Sequence, residues 1–564
     1  MKRIYTFVFA GLIILTLAVT SWLLGIVPGL AAKTIQNETV RRTGRTLMIK
    51  GGASLQFSPQ LGIALHDVSV SGASTNSEPV VMATTLLVPA SFFQLLSLQV
   101  SNQEIELEEP IFTVQFDATG QSNIIGGEAA DDTQVAVLPL RIRFQNGVFK
   151  YIDEPNAKVF TVADVEGLAD LDAQNEVHIN AAMTVAGERT HIAANLKSLS
   201  RAFHDGSPFD FNLDAVGASI SYGGRIVARQ GLDLAGQLRV DTNNATRLFK
   251  WLGLDFHGIG SNVLFSLTAA VESNRSFINL KQSDIVLSGM KAKGDISLAN
   301  NAVKSNVTLD LKFENLNTDL FLNSKQNVSW SERPFDTHNF NALDLSYNLA
   351  ATKMRVGGFE TGDAQVVGNL KDGILTSTIS SPTLGQSTIN FNSHETPPKL
   401  GLEMALTLSD AKSFMQQFAE MNWFSGAMVL NGKLETVGNS QSEMIGALDG
   451  EIEIKSREAA FKGVSLSALA GKALVQPIAG WGGGDTEPVV FNSKFIWADG
   501  IATLQDNSLS APGVKITASG EIDLLRQALN IDARVKLNQG DGKPAQVAVE
   551  GPWGKPHIGV KDLQ

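Results

Sequence analysis

Residues 307–313 read VTLDLKF, and this stretch decides the fold class of the chain. Large apolar side chains stand at every second position, with a polar residue between each pair: Val307, Leu309, Leu311 and Phe313. Successive side chains of a β-strand point to opposite faces, so this alternation predicts a strand with one apolar and one polar face. Helical spacing does not fit the pattern.

The same period of two recurs along the chain. Between residues 400 and 408, the apolar positions on one side include Leu402, Met404, Leu406 and Leu408. Turn-forming pairs separate such runs, as at Asn146-Gly147, Asp372-Gly373 and Asp499-Gly500. The sequence therefore predicts a mainly β fold, with a mostly antiparallel, meander-like body.

Three amphipathic stretches predict short helices within this body: Ala245–Leu254, Asp410–Phe424 and Val464–Ile478. We expect them to cap sheet edges rather than to bind a membrane. A weak internal repeat also runs through the body, with one copy at residues 287–313 and another at 509–537. Each copy reads as strand, glycine, strand, turn and strand, which is typical of elongated, repeat-built bodies.

The N-terminus predicts a membrane span. Ile4–Val27 is a run of 24 residues without a charge, and as a helix it would extend about 36 Å at about 1.5 Å per residue. A bilayer core is about 30 Å thick, and Pro28-Gly29 is expected to end the helix. A cleaved signal peptide is the alternative, with small residues at Gly29–Ala31, but the apolar run is longer than signal peptides need.

Charge beside the span does not by itself decide its orientation. Lys2 and Arg3 favour a cytoplasmic N-terminus. Positive residues also follow the span within about 20 residues, namely Lys33, Arg41, Arg42 and Arg45.

Composition and motifs argue against several functions. The net charge is −12 and no basic stripe is present, which disfavours nucleic-acid binding. The chain has no cysteine, and it contains no Walker A, G-x-S-x-G or H-E-x-x-H motif. His178, His191 and His204 recur every 13 residues, but we expect no metal site because no carboxylate cluster accompanies them in the sequence. We therefore predict no catalytic residue, no cofactor and no enzymatic activity.

Short segments at both ends of the chain resemble the AsmA family. They occur in the family's order, while residues 125–240 match only through their strand pattern. The segments are Thr43–Arg45, Ile49–Gly52, Pro59–Gly62, Leu65–Val68, Phe92–Leu98, Ile105–Pro110, Gly120–Asn123, Ser440–Gly450, Ala460–Leu466 and Val549–Pro556.

The resemblance implies a protein of the Gram-negative inner membrane, with a single span and its bulk in the periplasm. It implies a β-sheet curled into a groove, similar to that of bridge-like lipid-transfer proteins, and links to phospholipid transport toward the outer membrane and to outer-membrane protein assembly. The expected regions are a cytoplasmic tail (1–3), the span (4–27), an N-terminal β region (28–170), a β-repeat body (171–399) and a C-terminal β region (400–564).

The candidate groove lining consists of the eight apolar residues already named in 307–313 and 402–408. The pattern alone fits a filled β-sandwich or β-helix core equally well, and only the resemblance favours an open groove. Three functions are therefore considered. They are phospholipid handling, a scaffold or assembly factor that binds proteins of the envelope, and a polysaccharide enzyme built on a β-helix, for which Glu106 and Glu108 would be the nearest carboxylates.

Overall fold

The structure is a computed structural model. It describes residues 27–58, 60–73, 77–91, 104–124, 139–155, 158–228, 231–253, 263–299, 304–320, 330–335, 337–341, 343–356, 359–418, 424–461, 489–537, 545–553 and 556–561. The chain divides into two compact units. The first unit comprises 1–255, 261–288 and 299–303, and the second comprises 256–260, 289–298 and 304–564.

Five α-helices lie in the described ranges. They are α1 (Val27–Thr43), α2 (Leu199–Ala202), α3 (Ala245–Trp251), α4 (Lys412–Phe418) and α5 (Gln441–Gly446). Strands make up most of the first unit: β1 (Leu47–Ile49), β2 (Ala53–Gln56), β3 (Gly62–Val70), β4 (Val81–Pro89), β5 (Glu104–Glu108), β6 (Ile111–Phe116), β7 (Leu140–Asp153), β8 (Lys158–Leu171), β9 (Val177–Val185), β10 (Glu188–Leu196), β11 (Ser207–Ala215), β12 (Ala218–Val227), β13 (Asp233–Thr242), β14 (Phe265–Ser273) and β15 (Phe277–Leu287).

The strands of the second unit are also numerous, and two 3-10 turns (Thr318–Leu320 and His338–Asn341) interrupt them. They are β16 (Met290–Ala299), β17 (Ser305–Phe313), β18 (Leu316–Asn317), β19 (Leu343–Ala351), β20 (Met354–Val356), β21 (Phe359–Thr361), β22 (Ala364–Lys371), β23 (Ile374–Ser381), β24 (Gly385–Asn392), β25 (Lys399–Leu408), β26 (Phe424–Ser425), β27 (Met428–Val437), β28 (Asp449–Phe461), β29 (Val489–Ala498), β30 (Ile501–Ala511), β31 (Val514–Asp523), β32 (Ala528–Leu537), β33 (Ala545–Pro552) and β34 (His557–Lys561). The prediction of a mainly β fold is therefore confirmed.

Strand order in the first unit follows the sequence. From β7 to β15, each strand pairs antiparallel with the next one along the chain. Strands β5 and β6 depart from this rule, because both pair parallel with β7. Near the start of the unit, β3 pairs antiparallel with β1, β2 and β4.

Helix α1 packs on this first group of strands. Its buried residues Ala31 and Ile35 join a core that includes Leu47, Ile63 and Leu65. Pro28-Gly29, which the sequence predicts to end the helix of the span, lie in the first turn of α1, which runs on to Thr43; the residues before Val27, and with them the predicted end of that helix, lie outside the described residues. Proline has no N–H group, and N–H groups in the first turn of a helix have no acceptor within the helix. Helix α1 therefore tolerates proline in its first turn.

The predicted span itself, Ile4–Val27, lies outside the described residues except for Val27. Within the described part of the chain, no helix has the length and apolar character needed to cross a bilayer.

The second unit repeats the sequential antiparallel rule over two runs of strands and departs from it between them. Strand β19 pairs parallel with β17 and antiparallel with β22. From β22 to β25, and again from β27 to β34, each strand pairs with the next, and β25 pairs directly with β27. A small separate sheet contains β18, β20 and β21.

Two of the three predicted turns are confirmed. Asp372-Gly373 joins β22 to β23 and Asp499-Gly500 joins β29 to β30, each with positive φ at both residues. The third prediction is wrong, because Asn146-Gly147 lies inside β7 at a shift of register against β8. Asn146 has φ of 55° there, so the pair forms a bulge in a long strand rather than a turn between two strands.

The repeat has a structural basis at the glycine that both copies share in their middle strand. Gly294 in β16 and Gly520 in β31 have φ of 151° and 144°, in the region that favours glycine. A Cβ at Gly520 would lie 2.2 Å from the carbonyl oxygen of Asn530 on the neighbouring strand. At Gly294 the carbonyl of Asp310 approaches in the same way, so both copies need glycine for close strand contact.

Two predicted helices are confirmed in shorter form, as α3 and α4. Helix α3 caps its sheet as expected, with Leu248 buried and the Trp251 indole N–H donating to the Val185 carbonyl oxygen at 3.0 Å. The C-terminal end of the second prediction is wrong, because Phe424 lies in strand β26. The third predicted helix, Val464–Ile478, lies outside the described residues.

Candidate functional site

The four candidate residues of 307–313 share one face of β17. Leu311 is 8% exposed and the other three are partly buried, while the residues between them are exposed. The alternation read from the sequence is therefore present in the structure.

The candidate residues of β25 show the same alternation with a gradient along the strand. Leu402 and Met404 are partly buried, whereas Leu406 and Leu408 are 6% and 2% exposed. Glu403 between them is exposed. Burial thus increases toward the C-terminal end of β25.

Strand register places the two sets on the same face of one sheet. Directly paired residues of neighbouring strands point to the same side, so each row of partners lies on one face. The row through β17, β19, β22, β23, β24 and β25 contains Leu309, Tyr347, Gly368, Ser377, Ile389 and Leu402. The adjacent row contains Val307, Leu345, Leu370, Leu375, Phe391 and Leu400.

The first of these rows continues beyond β25. It proceeds through Leu434, Gly450, Trp497, Ala502, Ile522, Leu529 and Gly551. The row thus crosses thirteen paired strands of the second unit, about 58 Å at about 4.8 Å per strand. We call the side of the sheet that carries these rows the apolar face.

One end of the apolar face belongs to a packed core. Leu406 and Leu408 contact a cluster that includes Phe424 and Met428, and Phe414 of α4 packs against it. The remaining candidates, such as Leu309 and Leu402, stay partly buried and keep some exposed surface. The face is therefore filled beneath α4 and less covered toward the N-terminal end of β25.

The opposite face of the same strands is charged. Lys399 pairs with Glu435 at 2.9 Å, Lys433 with Glu403 at 3.0 Å, and Lys494 with Glu451 at 2.9 Å. The hydrogen bond that each ammonium donates to its carboxylate partner raises the pKa of these three lysines. These exposed pairs contribute little stability, but they keep that face solvated.

Several buried hydroxyl groups lie among the apolar side chains of the apolar face, and the sequence analysis did not predict them. Ser377, Thr436 and Ser456 are buried, and each points to the same side of its strand as the residues of the apolar rows. Thr436 donates to the Met444 carbonyl oxygen and Ser456 to that of Ala427, so local acceptors satisfy both. The alternation in the sequence predicts which side of the strand a residue faces. It does not predict that a polar residue will be buried among apolar neighbours from other strands.

The dispersed histidines do not meet. His178 in β9 pairs with Asn195 and His191 in β10 pairs with Ala182, so they are offset along the hairpin. The expectation that no carboxylates accompany them is wrong at His178, because Asp172 and Glu176 bring ligand atoms within 4.8 Å of it and of each other.

Those carboxylates already have partners. Glu176 binds the Lys197 ammonium at 2.6 Å, and an Asp172 oxygen accepts the backbone N–H groups of Gln174 and Glu176. A lysine at the carboxylate competes with any cation, so we assign no metal chemistry to this cluster. Similarly, Glu106 in β5 lies 3.5 Å from Arg143, as expected for solvated charge.

Comparison with known proteins gives one match. The model of the AsmA family matches residues 1–255. No curated protein and no solved structure matches the chain.

Proposed function

Since residues 1–255 of this chain belong to the AsmA family, we propose that the protein handles phospholipid on the apolar face of a periplasmic β body. Ile4–Val27 would anchor it in the inner membrane, and the lipid would move toward the outer membrane. The family match supports a function connected with the cell envelope and the outer membrane. No catalytic residue or cofactor is required.

The continuous apolar face is the observation on which the proposal rests. A row of partners crosses thirteen strands, and between Leu309 and Gly551 its side chains carry no polar group except the hydroxyls of Tyr347 and Ser377 and the indole N–H of Trp497. An acyl chain needs an apolar surface along its whole path, because any part of the chain that leaves this surface is exposed to water at a cost in free energy.

Solvation energies give the size of the effect. Wetting a chain of sixteen carbons costs on the order of 12 kcal/mol, at about 0.8 kcal/mol per methylene. A surface that keeps the chain covered removes most of this barrier, while the head group remains in water. The partly buried residues, including Val307, Leu309 and Leu402, are those that could exchange contact with a lipid chain for contact with solvent.

Lipid quantification tests the proposal. The full chain is extracted from membranes with a mild detergent, washed, and its bound phospholipid measured by mass spectrometry. We expect at least one phospholipid per chain, and at least about a fivefold loss in Leu402→Asp, because a carboxylate on the face opposes an acyl chain. Glu403→Ala, on the opposite side of the same strand, serves as the matched control and should keep its lipid.

A folded chain without phospholipid, or equal loss in both variants, would contradict the proposal. The second candidate is an envelope scaffold or outer-membrane protein assembly factor that binds no lipid. The packed core around Leu406 and Leu408 favours it, because that part of the face is filled by the chain itself.

A further inference from the structure

The first unit carries an apolar face of its own. A row of directly paired residues crosses eleven strands between β4 and β15 without a polar side chain. Directly paired residues lie on one side of a sheet, and we call this side the inner face. The row consists of Leu86, Leu107, Phe144, Gly167, Ala181, Ile192, Leu213, Ile220, Val240, Leu267 and Ile285.

Strand β7 places a buried carboxylate, that of Asp153, at the end of the inner face. Phe149, four residues earlier, packs against the core of the first unit, and every second residue of a strand shares a side. Asp153 therefore points to the inner face, as does Phe116, its direct partner in β6. The two residues are 5% and 2% exposed. A carboxylate buried to this degree needs a partner of opposite charge.

That partner comes from a distant part of the sheet. Arg275 lies in the turn between β14 and β15, and its guanidinium binds the Asp153 carboxylate at 3.2 Å and lies 5.6 Å from the centre of the Phe116 ring. Strands β7 and β14 are seven steps apart in the sheet, which is about 34 Å at about 4.8 Å per step. The sheet between them must therefore curl toward the inner face until its two sides meet.

Two glycines leave room for this contact. Gly231 lies between β12 and β13, and Gly120 follows β6. A Cβ at Gly231 would collide with the aliphatic stem of Arg275, and a Cβ at Gly120 would collide with its guanidinium. Both glycines have positive φ, of 137° and 84°. The arginine therefore lies between two loops whose backbones approach it closely.

The inner face of the curled strands is not filled to completion. Ile179, Ala194, Phe211 and Leu238 are all partly buried. A fully packed core would bury such side chains as completely as it buries Leu267, which is 8% exposed. The curled sheet therefore surrounds apolar surface that keeps contact with solvent.

We propose that Arg275 and Asp153 close the inner face of strands β7–β14 into a passage that takes the acyl chain of a phospholipid and admits it only from its ends. The choice of ligand rests on the proposed function. Apolar walls suit an acyl chain, and the closed side shields the chain from water. Entry from that side would require the buried ion pair to break and would leave Asp153 without its cation.

Thiol labelling tests the closure, because the chain contains no cysteine. Ala193 and Ala194 are neighbours in β10, both partly buried, and they point to opposite faces. Ala194, two residues after Ile192 of the row, points to the inner face. The full chain is purified in detergent and treated with a maleimide on a polyethylene glycol chain too bulky to enter from the ends. We expect Ala194→Cys to react at least about tenfold more slowly than its matched control, Ala193→Cys.

Loss of the ion pair should open the passage. Arg275→Met keeps an aliphatic stem but removes the charge, so Ala194→Cys should react at least about tenfold faster, with the rate at Ala193→Cys unchanged. Arg275→Lys keeps a charge beside Asp153 and should give an intermediate rate at Ala194→Cys. Equal rates for the two cysteines with Arg275 in place, no change in Arg275→Met, or a parallel rise of both rates would each overturn the proposal.

Photocrosslinking of lipid separates this inference from the proposed function. A photoreactive phenylalanine analogue replaces Phe211 on the inner face, Asn212 on the outer face, or Leu402 in the second unit. Cells grown with radiolabelled phosphate are irradiated, and we expect phospholipid adducts at 211 and 402 but only background at 212. Label at 402 without label at 211 would overturn the passage and leave the proposed function standing. Absence of label at both 211 and 402 would overturn the proposed function as well.

Discussion

A charge placed on the apolar face should have different effects at its two ends. Leu402 is partly buried between Ile389 and Leu434, while Leu408 is 2% exposed in a packed core. At Leu402 the carboxylate of an aspartate can reach water, so Leu402→Asp loses only part of one leucine's burial, about 1–2 kcal/mol. At Leu408 the change leaves a cavity and buries a charge, about 5 kcal/mol or more.

The assay is urea unfolding of the full chain in detergent, followed by circular dichroism. Total stabilities of folded domains are about 5–15 kcal/mol, so Leu408→Asp should remove a third or more of the stability of the second unit and lower its urea midpoint far more than Leu402→Asp does. Leu408→Met is the matched control for position 408 and should cost below about 1.5 kcal/mol. If Leu402→Asp unfolds the protein as completely as Leu408→Asp, the face is a filled core throughout and the reasoning is refuted.

Three further predictions concern packing. Gly520→Val should lower the free energy of unfolding by at least about 3 kcal/mol, because its Cβ would collide with the Asn530 carbonyl oxygen; an unchanged urea midpoint would contradict this. Arg275→Met should cost about 2–3 kcal/mol, since Asp153, 3.2 Å away, is buried and would lose this ion pair. Thermal unfolding measures this loss, and Arg275→Lys should recover part of it. Ile35→Asp should release α1 from its sheet, so limited proteolysis should cut within Val27–Thr43 at least about tenfold faster than in wild type; equal rates would show that α1 does not depend on that packing.

Much of the fold could be predicted because strand alternation is a local property. The side of the sheet taken by Leu309 or Leu402 follows from period two alone, and the structure agrees at both positions. The row that joins them could not be predicted, because it depends on register across four intervening strands. Register is set by turn geometry and by the parallel pairing of β17 with β19, neither of which the pattern indicates.

The errors at Asn146 and near His178 have physical causes, and the first is that one motif serves two structures. An Asn-Gly pair suits both a hairpin turn and a bulge, and at Asn146 the long partner strand β8 selects the bulge. The carboxylates near His178 were missed because they meet through the turn between β8 and β9.

Photocrosslinking in cells tests the central claim most directly. A photoreactive phenylalanine analogue is placed at Leu309 or Leu402 on the apolar face, or at Glu403 on the charged face. Cells are grown with radiolabelled phosphate and irradiated, and the purified chain is examined for covalently attached phospholipid. The account predicts labelled adducts at 309 and 402 and at most background at 403. Absence of label at all three positions, or equal label on both faces, would contradict it.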